Sequence, residues 1–376
     1  MRFLFYTHSL VSDWNHGNAH FVRGVMRELV ARGHKVAALE PADGWSRTNL
    51  LKEQGQQATR RFSTDFPELK SISYDADFDH ESLLFQADIV VVHEWTDPAL
   101  VRRLGLARRG GGRFTLLFHD THHRAVSETA AISALALDDY DAVLAFGETL
   151  RERYLRAGWG KNVYTWHEAA DVRLFRPRTR IARTADLIWI GNWGDDERSD
   201  EIDEYLIRPV KRLALNASVH GVRYPTAALS ALADAGIDYR GWLPNADVPT
   251  AFARHRATVH IPRRPYVESL PGIPTIRMFE ALACGIPLVS APWHDDEGLF
   301  RTGIDYLRAR SGEEMAQLLR MILNDGDLAQ ALAANGLETI AGRHTCGHRV
   351  DELFDILSRC GTVGVVCQMK QKEAAA

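Results

Sequence analysis

Short apolar runs of strand length alternate along this chain with amphipathic stretches of helical length, and that alternation restricts the fold more than any other feature. A parallel strand covered on both faces reads as an unbroken apolar run, whereas a helix on the sheet shows one apolar stripe. Residues 2 to 6 read as a first strand. Residues 18 to 32 read as a helix with Phe21, Val25 and Leu29 on one stripe, stopped by Gly33. Further strands are expected at 36 to 39, 88 to 93, 113 to 118 and 142 to 146, each leading into a loop or helix. The order implies an α/β fold with a parallel, doubly wound sheet.

Near residues 163 to 186 the pattern breaks. Val163-Tyr164-Thr165-Trp166-His167-Glu168-Ala169-Ala170-Asp171 is followed by Phe175-Arg176-Pro177-Arg178, where proline and scattered arginines interrupt both periods. A second α/β series then runs through strands expected at 186 to 191, 217 to 221, 258 to 261 and 287 to 290. The 376 residues are enough for two cores. The expected organisation is a first domain over 1–170, a linker over 171–185 and a second domain over 186–347. A last helix at about 348–360 is expected to return to the first domain, before a frayed tail at 361–376. No repeated motif links the two halves.

Charge and composition narrow the function. Lys+Arg total 45 against 49 Asp+Glu, a net charge of -4, so no global field recruits nucleic acid or an anionic membrane. No apolar run reaches the ~18 residues of a membrane span, and residues 1 to 9 lack the apolar stretch of a signal peptide. No integral membrane association is expected. Cys284, Cys346, Cys360 and Cys367 show no CxxC spacing, which fits a reducing cytoplasm.

The most informative stretch is residues 259 to 289. It parses as a strand, a long loop, a short helix, a tight turn and a strand. Pro274 is expected at the first helical position and Gly285 as the left-handed residue that closes the helix. Preceded by Pro271 and Gly272, this helix start aims unpaired backbone N–H groups out from a strand's carboxyl end, where open α/β sheets bind ligands. The backbone of Gly272, Ile273, Pro274 and Thr275 therefore suits a diphosphate. Arg277 and Glu280, three residues apart, project from one side: a cation for phosphate and a carboxylate for hydroxyl groups. Arg263 and Arg264 precede this loop and are candidates to neutralise a leaving diphosphate. After the strand at 186 to 191, Gly191 allows close backbone approach, a helix capped by Asp195 or Asp196 is expected, and Arg198 falls in its first turn. Arg223 follows another strand end.

Phe279-Glu280-Ala281-Leu282-Ala283-Cys284-Gly285-Ile286-Pro287-Leu288-Val289, approached through Pro271-Gly272-Ile273-Pro274-Thr275-Ile276-Arg277, resembles the nucleotide-sugar signature of GT-B glycosyltransferases, particularly the CgeB-like (spore maturation) group. The passage from Trp166 to Pro177, the Ile190-Gly191-Asn192-Trp193-Gly194 segment and Arg343-His344-Thr345-Cys346-Gly347-His348-Arg349 also match that group. The resemblance implies a GT-B fold, two Rossmann-like domains facing an interdomain cleft, with Glu280 on the ribose hydroxyls of the donor. Related retaining enzymes often carry a second glutamate eight residues earlier, where this chain has Gly272. Stereochemistry therefore cannot be inherited.

In the first half, Asp13 and His16 lie in the loop between the first strand and the first helix. Either could act as general base toward an acceptor hydroxyl. His119 and Asp120, in His119-Asp120-Thr121-His122-His123-Arg124, form a second polar strand end with a sugar-binding or catalytic role. Glu148 sits at the next strand end. No zinc-type spacing accompanies these histidines, so no metal is expected. The combined expectation is a metal-independent transferase with no resident cofactor. Its donor is a nucleoside diphosphate sugar; its acceptor could be a glycan, a small molecule, a lipid-linked compound or a protein. A nucleotide-sugar epimerase of the same architecture and a non-catalytic nucleotide-sugar binder are the alternatives.

Overall fold

The computed structural model describes residues 1–194 and 196–362. Asp195, one of the two expected helix caps, and the tail from residue 363, Cys367 included, lie outside the described residues. The chain forms two compact units, one of Met1–Glu168 with the segment from Cys346, the other of Ala169–Thr345.

The first unit holds seven parallel strands in the order β3-β2-β1-β4-β5-β6-β7. They are β1 (Arg2–Tyr6), β2 (Lys35–Pro41), β3 (Ser71–Tyr74), β4 (Ile89–His93), β5 (Thr115–Asp120), β6 (Ala142–Ala145) and β7 (Val163–Thr165). Phe5 of β1 pairs with Ala38 on one side and Val91 on the other, and Val91 in turn faces Leu117. Every residue of β4 and β5 is buried, so these apolar runs end in polar groups, His93 and the pair His119 and Asp120, only at their carboxyl ends.

The helix Ala19–Ala31 buries Phe21, Val25 and Leu29 fully, and Gly33 follows it with φ +82°. The last helix, Cys346–Arg359, packs on it. Phe354 meets the rings of Phe3 and His34 at 6.2 and 5.4 Å, and Arg32 pairs with Asp351 at 2.5 Å. Trp166, fully buried, donates Nε1–H to the Arg349 carbonyl at 2.8 Å.

The second unit holds six parallel strands in the order β10-β9-β8-β11-β12-β13. They are β8 (Ala185–Ile190), β9 (Ala217–His220), β10 (Asp238–Tyr239), β11 (His255–His260), β12 (Leu288–Ser290) and β13 (Leu307–Arg308). Leu187, Trp189, Val219, Ala257, Val259 and Val289 meet Leu206, Val210 and Leu319 from the helices in one core. In both sheets the strand order reverses beside the first strand, at β1/β4 and at β8/β11. A crevice at the carboxyl ends is expected at such a reversal.

Four strands were not expected from the sequence. Residues 163 to 165, where the pattern breaks, are the edge strand β7, paired with β6. Three residues running into Trp166 are too few to show a period. The two-residue strands β10 and β13 escape for the same reason, and β3 (Ser-Ile-Ser-Tyr) lacks the apolar content of a central strand.

Candidate functional site

The second unit gathers its chemistry at the β8/β11 reversal. Where β8 ends, Gly191 lies against Gly221 from the end of β9. A Cβ at Gly221 would sit 2.0 Å from the Gly191 carbonyl oxygen, so two backbones cross here only because one lacks a side chain. Val222 N–H donates to Asn192 Oδ1 at 2.9 Å and Tyr224 OH to the Gly191 carbonyl at 2.8 Å, fixing the loop.

The short helix Ser199–Ile202 begins two or three residues later than a cap at Asp195 or Asp196 implies, so Arg198, and not Asp196, occupies the residue before it, with its guanidinium buried. Its Nη1 donates to Ile261 O at 2.8 Å and Nη2 to Asn192 O at 2.5 Å, joining the β8 and β11 loops, while the guanidinium lies over the Trp189 ring at 5.2 Å. Its Nε has no hydrogen-bond partner. Gly194, at φ +90°, passes between two arginines: a Cβ there would be 3.3 Å from Arg198 Nε and 3.4 Å from Arg263 Nε. Burial, then the charges of Arg263 and Arg277, push Arg198 down to about 9. Backbone carbonyls accept its two hydrogen bonds, and the two cations that face it are each paired, Arg263 with Glu197 at 3.0 Å and Arg277 with Glu280. The surplus is the single charge of Arg198, which an anion would balance.

The adjoining helix Ile276–Cys284 begins two residues later than expected, so Pro274 precedes the cap residue Thr275 instead of opening the helix. Thr275 does not cap with its side chain; its Oγ1 meets His260 Nε2 at 3.1 Å, and His260 Nδ1 meets Ser290 Oγ at 2.9 Å. His260, pushed down to about 3 by burial and by Arg198, is thus a neutral brace between β11, β12 and the helix start. Gly285 closes the helix at φ +65° in the left-handed region, as expected.

Arg277 pairs with Glu280, whose side chain is wholly buried. A cation in the first helical turn opposes the helix dipole, so this ion pair and any bound anion both offset an unfavourable placement. Gly272, at φ +88°, donates its N–H to the His294 carbonyl at 2.8 Å. A Cβ there would lie 2.9 Å from Glu297 Cγ and 3.2 Å from its Oε1. Glu297, from the loop after β12, thus packs against the Gly272 backbone.

The first unit gathers histidines at its own reversal. His8, His16, His93 and His119 form a row with ring centroids 5.1, 6.1 and 5.9 Å apart. His93 Nε2 lies 3.0 Å from Thr121 Oγ1, which donates to Glu94 Oε1 at 3.3 Å, and His93 Nδ1 lies 3.0 Å from Glu94 Oε2, an oxygen without a hydrogen bond. Burial and the neighbouring imidazoles hold His16 and His119 well below the usual histidine value and His8 at about 4, so these three rings are neutral near pH 7.

The predicted residues separate by surroundings. His16 belongs to the row, with a buried, unbonded Nε2. His119 also lies in it but deeper, packed on Trp166 at 4.8 Å and Phe21 at 5.9 Å. Asp120 is wholly buried, accepting from Tyr154 OH at 2.7 Å and His122 N–H at 3.1 Å, and burial raises its pKa. Asp13 pairs with Arg23 at 2.7 Å, and that guanidinium also holds the Leu10 carbonyl; this is loop fixation rather than the geometry of a poised base. Glu148 pairs with Arg151 and accepts from Thr165 Oγ1 at 2.5 Å. Arg264 turns to Glu201 at 2.7 Å and Asp200 at 3.0 Å, away from Arg198, whereas Arg263 stays beside it. Arg223 is exposed, with a left-handed φ of +66°. Ile273 is buried.

His8, His93, Glu94, His260 and Glu297 were not singled out from sequence. Lone histidines at strand ends carry no spacing signal. Among the described residues no group of three or more His, Cys, Asp or Glu side chains is arranged to hold a metal ion.

Two Rossmann-like units, each a parallel sheet reversing at its first strand, define the GT-B fold of glycosyltransferases. Residues 198–355 match the family described as Glycosyl transferase-like. Among solved structures, HepE of Anabaena in complex with UDP and glucose is similar at 15% identity and TM-score 0.67, over 95% of this chain and 99% of that one. Sucrose-phosphate synthase from Thermosynechococcus elongatus matches at 14% identity and TM-score 0.65, over 95% and 98%. The β-glucosyltransferase of phage T4 matches at 12% and 0.59, over 96% and 99%. No curated protein sequence matches this chain significantly.

Proposed function

We propose that this chain is a hexosyltransferase that takes a nucleoside diphosphate sugar as donor, without a metal, and transfers the sugar to an acceptor hydroxyl. The observation that carries the reading is the arginine group at β8/β11. Arg198 is buried with only carbonyl acceptors, faced by Arg263, which Glu197 holds, and by Arg277, which Glu280 holds, near a helix start whose cap side chain is engaged elsewhere. The Glycosyl transferase-like match over the same residues supports it, as do the UDP and UDP-glucose complexes of HepE. Closer kinship to the CgeB-like group rests on residues 271 to 277 and 279 to 289.

In this reading the diphosphate lies against Arg198, Arg263 and the N–H groups at the helix start. Glu280 takes the ribose hydroxyls, with Arg277 released to the phosphates. The acceptor oxygen attacks the anomeric carbon, and the bond to the diphosphate breaks with its electron pair leaving on phosphate oxygen. The acceptor proton passes to a general base; among the candidates, the neutral imidazoles of His8 and His16 suit that role better than Asp13, which is held by Arg23, or Asp120, which is held by Tyr154. Three free cysteines, Cys284, Cys346 and Cys360, support a reducing cytoplasmic setting.

A thermal-shift panel of nucleotide sugars, followed by acceptor-dependent release of nucleoside diphosphate, tests the proposal. UDP and at least one nucleotide sugar are expected to raise the melting temperature. Stabilisation by none of them would refute it, and formation of an epimer from donor alone would replace transfer with epimerisation.

A further inference from the structure

The first unit carries two large aromatic side chains in the open at the ligand end of its sheet. Trp45, at the start of the helix Trp45–Gln54 that follows β2, is 45% exposed, and Trp95, two residues after β4, is 42% exposed. Both flank the same imidazole: the Trp45 and Trp95 rings lie 6.4 and 6.0 Å from His8. Leaving this much indole in water is unfavourable, and both rings are nonetheless held in place. Trp45 packs edge-on against the buried Trp14 at 5.0 Å, and Trp14 is anchored by its Nε1–H to Glu53 at 2.7 Å. The Arg124 guanidinium lies over Trp95 at 4.3 Å and is itself tied to the Glu94 carbonyl at 2.9 Å.

We propose that Trp45, His8 and Trp95 form an acceptor subsite for a pyranose ring, a sugar whose C–H faces stack on the two indoles while His8 meets its hydroxyls. The chemistry matches on both counts. A pyranose has apolar axial C–H faces and a hydroxyl rim, and aromatic rings already fixed in place bind such a face with little ordering cost. His8 is held neutral by burial and by His93, so it offers one N–H donor and one lone pair, the complement of a hydroxyl. His122, with its ring 5.4 Å from that of Trp95, adds a second hydrogen-bonding edge. A flat apolar aglycone would leave the His8 imidazole without a hydrogen-bond partner.

The inference rests on the transferase reading and names the acceptor class for it. The test uses the full chain with the methyl glycosides of common hexopyranoses, and with phenol and glycerol as acceptors that lack a pyranose ring. Binding is read by saturation-transfer NMR without donor, and acceptor KM and kcat with donor present. At least one methyl pyranoside is expected to bind through its axial C–H protons. Trp95→Ala and Trp45→Ala are expected to weaken that binding and raise acceptor KM about tenfold with a smaller change in kcat, and Trp→Phe at each position to restore most of the affinity.

UDP binding by thermal shift is read in parallel. If UDP binds but no pyranoside does, or if both alanine variants keep the wild-type acceptor KM and NMR contacts, the subsite is overturned and the donor reading stands. If no nucleotide or nucleotide sugar binds, the transferase reading fails independently. Preferential use of phenol over every pyranoside would replace the sugar by a planar acceptor.

Discussion

Arg198→Met is the most discriminating single change, because it separates a residue built for the fold from one built for an anion. Holding the buried guanidinium at about 9 corresponds to about 5 kcal/mol of differential cost in keeping it charged. The depressed value means that the unfolded chain holds this proton more tightly. The cost is therefore fully present at neutral pH and is relieved only as pH rises above about 9. Against it stand two charged hydrogen bonds, to Ile261 O and Asn192 O, each worth about 1.5 to 3 kcal/mol. Methionine keeps apolar contact with Trp189 while removing both sets.

The two sides nearly cancel, so apo stability should change by no more than about 2 kcal/mol in either direction, where breaking a matched buried ion pair costs about 3 to 5. Anion binding should behave differently. Loss of a charged donor to phosphate is expected to weaken UDP and inorganic pyrophosphate by about ten- to a hundredfold. Urea unfolding gives the first quantity and calorimetric titration the second. A variant that loses about 4 kcal/mol or more while still binding UDP as wild type does would show that Arg198 is scaffold, and the electrostatic argument would fall.

Other consequences can be measured alongside. Glu280→Ala should weaken UDP about tenfold yet spare inorganic pyrophosphate, which has no ribose; equal losses for both would assign Glu280 only to orienting Arg277. Gly221→Ala forces a methyl group to 2.0 Å from the Gly191 carbonyl, so it should destabilise the second unit by about 3 kcal/mol or more and abolish UDP binding; a wild-type urea midpoint would refute the crossing. His8, His16, His119, His220 and His260 are all held below the ordinary histidine value, so the unfolded chain takes up their protons first. Stability should fall as pH drops from about 6.5 toward 4, by about 1.4 kcal/mol per pH unit for each such proton; a flat melting temperature from pH 6.5 to 4.5 would contradict their burial. If His8 accepts the acceptor proton, kcat should lose its acid limb near pH 4 instead of near 6.5, and His8→Gln should lower kcat while leaving UDP affinity unchanged.

The pattern of apolar runs located β1, β4, β5 and β8 because they are buried strands of mostly apolar residues, whereas β11 carries His255, Arg256, Thr258 and His260 and was legible only from residue 258. Edge strands carry no such run. β10 and β13 are two residues each, and β7 ends at Trp166, whose burial depends on the Arg349 carbonyl far along the chain. The loop ends of central strands were legible as positions, and the structure brings Arg198, Arg263 and Arg277 near one another there.

What the residues do there was not legible, because it depends on partners from distant loops. Arg263 and Arg264 are adjacent and chemically identical, yet Asp200 and Glu201 hold the second away from Arg198. Asp13 reads as a free carboxylate until Arg23 on the next helix pairs with it. Nothing at Gly272 indicates that Glu297, 25 positions later, packs against it. In each case sequence specifies which charge is present, and only packing specifies whether a countercharge is within reach. Arg198 stands apart, because only backbone carbonyls accept its hydrogen bonds and the neighbouring Glu197 is held by Arg263; an anion bound there would supply the countercharge that the fold gives to Arg263 instead.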